Sequence, residues 1–205
     1  MPKVRTKSYD YGQTEIDSLT AADPVMGEAL TRLGRLERVV IPDLFAALIH
    51  AMVGQLISAK AAQTIWERLQ DRCGEMTAQR LAGLSADEIQ RCGMTMKKAV
   101  SIHNIARLVA QGDVHLDELR DMSDQEVIAK LTALPGVGRW TAEMLLIHSL
   151  ERPDVVSWGD IAIRRGMMKP YGLETLTKEQ FDRFRQRYSP HGTVASIYLW
   201  EISFE

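Results

Sequence analysis

Leu134-Pro135-Gly136-Val137-Gly138-Arg139-Trp140-Thr141-Ala142 is the stretch whose reading decides the fold. Just upstream, Ser123-Asp124-Gln125-Glu126 has the spacing of a capping box and opens a helix predicted to reach about Thr132. Pro135 cannot continue that helix, and Gly136 and Gly138 supply backbone freedom for a tight reversal. Apolar residues at Trp140, Met144, Ile147 and Leu150 then restore a helical period. The pattern is helix, glycine hairpin, helix. The amides of Gly136, Gly138 and Arg139 would point outward at the N-terminus of the second helix, a seat for a phosphate. Such a seat reads no base edge, so it grips a nucleic-acid backbone without sequence preference. An ordinary turn between helices uses the same proline and glycines, so the hairpin alone leaves both readings open.

Moving outward, 205 residues with 45% hydrophobic content suffice for one large domain or two intimate lobes. The formal charge of −2 argues against a histone-like coat on DNA, though not against a local basic face. Cys73 and Cys92 are too few for a disulfide framework or for the four thiolates of an iron–sulfur cluster. His50, His103, His115, His148 and His191 lack ligand spacing with those cysteines, so no transition-metal site is expected. Neither a secretory leader nor an apolar run of about eighteen residues appears, so a cytoplasmic or nucleoid location with no membrane contact is expected.

Helical signals fill the rest. Asp23-Pro24 caps and opens a helix that Gly34 ends. Asp43 precedes Leu44–Val53, apolar nearly all round and therefore a core helix. Ser58 caps a helix from Ala59 to about Arg72. Short helices follow at Thr77–Ala82 and after the capping box Ser85-Ala86-Asp87-Glu88, then a longer one over Met96–Ala110 and a short one at Leu116–Arg120. Beyond Asp160, helices are predicted at Ile161–Met168, Lys178–Tyr188 and Thr193–Ile202. The only β-branched run, Val39-Val40-Ile41, is stopped by Pro42, so no strand is predicted. The first twenty residues, with Tyr9 and Tyr11 among charges, read as an extended arm or a poor helix.

The hairpin Leu-Pro-Gly-Val-Gly-Arg, followed by Thr141-Ala142 and by an isolated Asp160 about twenty residues on, resembles the helix-hairpin-helix DNA glycosylases, the HhH-GPD superfamily. The resemblance covers roughly Ile41 to Trp200. It implies an all-α, two-lobed glycosylase fold in one domain over 1–205: a lobe of roughly 40–120, the hairpin at 123–150, and the remaining helices from both chain ends. It also implies that Asp160 is the catalytic acid, since Ile163 and Arg165 repeat the spacing that follows it in endonuclease-type members. Taken alone, Asp160 before Ile-Ala-Ile is equally a good N-cap.

Trp140 occupies the slot where bifunctional relatives keep the lysine that attacks the sugar. A tryptophan has no amine, so the resemblance implies a monofunctional enzyme with water as nucleophile. Trp140 and Trp200 match pocket tryptophans of the 3-methyladenine branch, and Met144 stands where that branch has a tyrosine. Leu56, in Gly54-Gln55-Leu56-Ile57-Ser58, matches the wedge that fills the gap left by a flipped base, and Gln55 would meet the orphaned partner. Gly136, Gly138, Arg139 and Thr141 would meet phosphates. The carbonyls of Thr132, Leu134 and Val137 would hold a monovalent cation, Na+ or K+; no other cofactor and no iron–sulfur cluster is implied. Arg164, Arg165, Lys169, Arg183, Arg185 and Arg187 form a local basic excess suited in part to phosphates.

The expected activity is removal of alkylated purines from damaged double-stranded DNA by base flipping and hydrolysis, without lyase activity, by a monomer. Three alternatives stay open: a glycosylase for deaminated or mismatched bases, a non-catalytic helix-hairpin-helix DNA-binding module, and a helical interaction protein with a fortuitous hairpin. A plain binding module would need neither Asp160 nor Trp200.

Overall fold

The computed structural model describes residues 4–205. In chain order its α-helices are Gln13–Ala22 (α1), Pro24–Leu33 (α2), Leu44–Gly54 (α3), Ala59–Cys73 (α4), Ala78–Ala82 (α5), Ala86–Gln90 (α6), Met96–Gln111 (α7), Asp124–Thr132 (α8), Arg139–His148 (α9), Ile161–Met168 (α10), Lys178–Tyr188 (α11) and Gly192–Ile202 (α12). Short 3₁₀ turns lie at Asp117–Asp121 and Lys169–Tyr171. Asp23, Ser58, Ser85 and Ser123 cap their helices as expected, and Asp43, Thr77, Thr95 and Thr177 do the same: each side chain accepts a first-turn amide.

The described residues divide into two compact units, one of Val40–Leu150 with residues 4–7, the other of Ser8–Val39 with Glu151–Glu205. The first is built on α3, where Leu48, Ile49, Met52 and Val53 are fully buried. Burial on that scale contributes about 1.5–3 kcal/mol per large aliphatic side chain. Against α3 pack α4, α7 and α9, while α5 and α6 lie on α7 and α8 on α9. In the second unit α12 is the central element, buried from Gly192 through Trp200 and contacted by α1, α2, α10 and α11.

Two expectations need correction. Val39–Val40 does form a strand, paired with Lys7–Ser8 in a two-stranded sheet. Two residues per strand give too little alternation for a sequence pattern to register. The first twenty residues, of which 1–3 lie outside the described ones, include α1, capped at Gly12 by the Glu15 side chain reaching back to its amide at 2.8 Å. Tyr9 and Tyr11 are core residues at 6% exposure. The Tyr11 hydroxyl donates to the Leu36 carbonyl at 2.6 Å and lies 3.2 Å from the hydroxyl of Tyr198, so polar neighbours in sequence hid anchored aromatics.

Candidate active site

The hairpin joins α8 to α9 through residues 133–138. Gly136 makes the reversal at φ +77°, a conformation that L side chains disfavour. A Cβ there would also lie 2.6 Å from Ser101 Oγ on α7. Gly138, at φ −98° and ψ 174°, needs no glycine for its backbone. Nothing lies within 4 Å of where its Cβ would be, so its value is an unobstructed approach to the first amides of α9. The Leu134 carbonyl accepts the Val137 amide at 3.2 Å and keeps a second lone pair. Thr132 ends α8, among the carbonyls a helix leaves without an intrahelical partner. Neutral carbonyl oxygens of this kind fit a monovalent cation.

Side chains of this region are largely committed internally. Gln55 Nε2 donates to the Gly136 carbonyl at 3.0 Å and to Thr141 Oγ1 at 2.8 Å. Both amide hydrogens of Gln55 are therefore engaged, and only its oxygen could meet an orphaned base. Thr141 is 2% exposed, so its hydroxyl is no phosphate contact; what it can offer DNA is its backbone amide. Arg139 Nε pairs with Glu143 at 2.8 Å, yet the Arg139 side chain stays 63% exposed. Leu56 stands wholly exposed at φ +59°, an apolar side chain on a raised turn. Trp140 is half-buried at the start of α9, and Met144, one turn on, is buried.

The second unit organises Asp160. Asp154 ties the preceding loop to α11 and α12: it accepts Arg185 at 3.2 Å, Ser189 Oγ at 2.6 Å and the Gly192 amide at 3.1 Å. Ser196 Oγ donates to the Val155 carbonyl at 2.8 Å. At the loop's end Asp160 caps α10, its Oδ1 accepting the amides of Ala162 at 2.9 Å and Ile163 at 3.0 Å. Its Oδ2 accepts the Trp200 indole N–H at 3.2 Å. The two are forty residues apart in the chain, and both are buried, Asp160 at 8% and Trp200 at 7% exposure. Gly166 permits this meeting. A Cβ on Gly166 would sit 1.9 Å from the Leu199 carbonyl, so α10 crosses α12 backbone to backbone just beside Trp200.

Arg38 is the residue that sequence reasoning missed. Its guanidinium lies 4.1 Å from the centroid of the Trp200 ring, and its Nε is buried without a hydrogen-bond partner. Burial pushes the guanidinium down to about 10, opposed by the carboxylates of Asp160 and Glu201, so it remains a cation at neutral pH. At most one face of this indole can therefore serve a base. No motif marks Arg38, because its partners lie more than a hundred residues away in the chain. Part of the basic excess is neutralised: Arg185 and Arg187 are paired to Asp154 and Asp23. Lys169 donates to the Ser203 carbonyl and Arg164 lies over Trp158, while Arg165 and Arg183 remain exposed. Among the described residues, no three His, Cys, Asp or Glu side chains gather as a metal centre would need.

Residues 49–191 match the family model described as "HhH-GPD superfamily base excision DNA repair protein". DNA-3-methyladenine glycosylase 1 of Schizosaccharomyces pombe is 32% identical over 164 residues, spanning 78% of this chain and 72% of the relative. DNA-3-methyladenine glycosylase 2 of Escherichia coli is 28% identical over 193 residues, 86% of this chain and 65% of its own length. Among solved structures, the S. pombe 3-methyladenine DNA glycosylase in complex with abasic DNA superposes with a TM-score of 0.85 at 29% identity, covering 92% of this chain and 95% of that one.

Proposed function

This chain belongs to the HhH-GPD superfamily of base excision DNA repair proteins, and on that premise we propose that it is a DNA glycosylase releasing alkylated purines, of the 3-methyladenine type, from damaged double-stranded DNA. The observation that carries the reading is the Asp160 carboxylate, held through one oxygen by two helix amides and through the other by the Trp200 indole.

An alkylated purine is electron-poor and often cationic. Extruded from the stack, it meets an aromatic face with stacking worth about 1–3 kcal/mol and cation–π attraction of roughly 0.5–2 kcal/mol. When it is cationic, the C1′–N bond breaks with its electron pair going to the base, which leaves neutral. No general acid is required. Positive charge develops on the deoxyribose, and the fixed Asp160 carboxylate stabilises it without reorganising. A water then bonds C1′ through its oxygen and gives up a proton, to which Asp160 is the acceptor this reading assigns.

Leu56 is assigned the wedge, Trp140 and Met144 further contacts to the base, and the α9 amides at Gly138, Arg139 and Thr141 a phosphate. A Na+ or K+ held by the Thr132, Leu134 and Val137 carbonyls would add charge attraction for that phosphate. No lysine occurs from Leu131 to Met168, and Lys98 is committed to backbone carbonyls. The reading is therefore hydrolysis without strand cleavage, and the enzyme is proposed to act as a monomer.

Duplexes carrying a methylated purine, hypoxanthine or uracil test the proposal when the free base is measured by mass spectrometry. Methylpurine release is expected to dominate. Release only from hypoxanthine or uracil would make the enzyme a glycosylase for deaminated bases, and duplex binding with no release would leave a non-catalytic module.

A further inference from the structure

The loop bearing Leu56 is strained in a way that its own sequence does not relieve. Gln55, at φ −57° and ψ 125°, is followed by Leu56 at φ +59°. That is the signature of a type II turn, whose third position favours glycine. A leucine there persists only when the surroundings over-determine the backbone. Two side chains do so. Lys98 Nζ, from the first turn of α7, donates to the carbonyl of Val53 at 3.0 Å and to that of Gln55 at 2.8 Å. The first bond satisfies an end carbonyl of α3, where a cation is also favoured by the helix dipole. The second fixes the peptide immediately before Leu56. Gln55 then reaches the hairpin through the Gly136 carbonyl and Thr141 Oγ1. Three residues after Lys98, Ser101 abuts Gly136 closely enough to exclude a Cβ. One face of α7 thus braces both the wedge turn and the hairpin.

We infer that Lys98 and Gln55 are positioning residues: a clamp that holds Leu56 in its left-handed turn and couples it rigidly to the hairpin, so that insertion into the duplex and the grip on a phosphate act as one element. The clamp itself is a property of the free protein; its consequence for DNA rests on the function proposed above. Partial burial of the Lys98 ammonium, which pushes its pKa down, agrees with a cation spent on structure.

Backbone 15N relaxation in the free protein tests the clamp. Lys98→Met and Gln55→Ala should each lower the order parameters of residues 55–57, from the range of rigid backbone towards that of a flexible loop, with α3 and α9 unchanged. Lys98→Arg should restore most of the rigidity. Unchanged order parameters at 55–57 in a folded Lys98→Met or Gln55→Ala variant would overturn the inference. The consequence is read with 2-aminopurine placed beside a tetrahydrofuran abasic site in a duplex, and by excision from methylated duplex compared with methylated single strand. Wild type should change the fluorescence, and both clamp variants should reduce that change and lose duplex excision preferentially, since a single strand needs no wedge. Equal losses on both substrates would assign the pair a merely structural role and overturn the coupling. A wild-type protein that leaves 2-aminopurine unperturbed would instead overturn the wedge reading of Leu56, while relaxation still decides the clamp.

Discussion

Around the hairpin, the first amides of α9 and the open space at Gly138 face outward beside the exposed side chains of Leu56 and Arg139, while the Gln55 amide nitrogen, the Thr141 hydroxyl and the Lys98 ammonium are spent inside. Around Asp160 the arrangement is reversed. There the polar and aromatic groups that meet are buried side chains, a carboxylate, an indole and a guanidinium, and the backbone serves to hold them. A backbone site tolerates changes of side chain and is sensitive to changes of conformation. A side-chain site tolerates neither loss of charge nor loss of shape.

Asp160→Asn should give the largest effect. Asparagine caps a helix about as well as aspartate, so α10 should remain intact while the charge is lost. A fall of two to three decades in single-turnover excision, about 2.7–4 kcal/mol, is expected, with affinity for an abasic duplex at or above wild type. More than a tenth of the wild-type rate would leave Asp160 as a cap alone. Trp200→Ala comes next, with about 1–3 kcal/mol of stacking lost besides the indole N–H on Oδ2. Trp200→Phe separates the two roles: it keeps a ring but no donor, so its rate should fall between wild type and the alanine variant. On the backbone side, Gly136→Ala should lower stability to denaturant by roughly 1 kcal/mol or more, through its positive φ and the Ser101 contact. Gly138→Ala should change stability least, within about 0.5 kcal/mol, yet weaken abasic-duplex binding by crowding the amides. Equal stability losses at the two glycines would remove the distinction drawn between them.

The same contrast explains what could be read from the chain. The hairpin was legible because Pro135, Gly136 and the Ser123 capping box act within a few residues of themselves, and the helix caps were legible for the same reason. Asp160 was legible as a cap from its neighbours, and its assignment as the catalytic acid rests on family resemblance. Its meeting with Trp200 depends on Gly166 letting two helices touch backbone to backbone, which no local pattern announces. Arg38 sits in an unremarkable polar segment and acquires its role from packing alone. Gln55 and Thr141 were expected to meet DNA, and the hydrogen bond that joins them to each other could be seen only with the fold in hand.

Release of a base by water, with the strand left whole, is the step proposed for this enzyme. An end-labelled duplex with one methylpurine, incubated with the enzyme and split into three portions, tests this directly. One portion is analysed untreated, one after hot alkali, and one after borohydride is added during turnover. The expected result is free methylpurine, an uncut labelled strand that breaks only in alkali, and no protein–DNA adduct. A cut strand in the untreated portion together with a borohydride-trapped adduct would reveal an amine attacking the sugar and would contradict the hydrolytic mechanism built on Asp160 and Trp140.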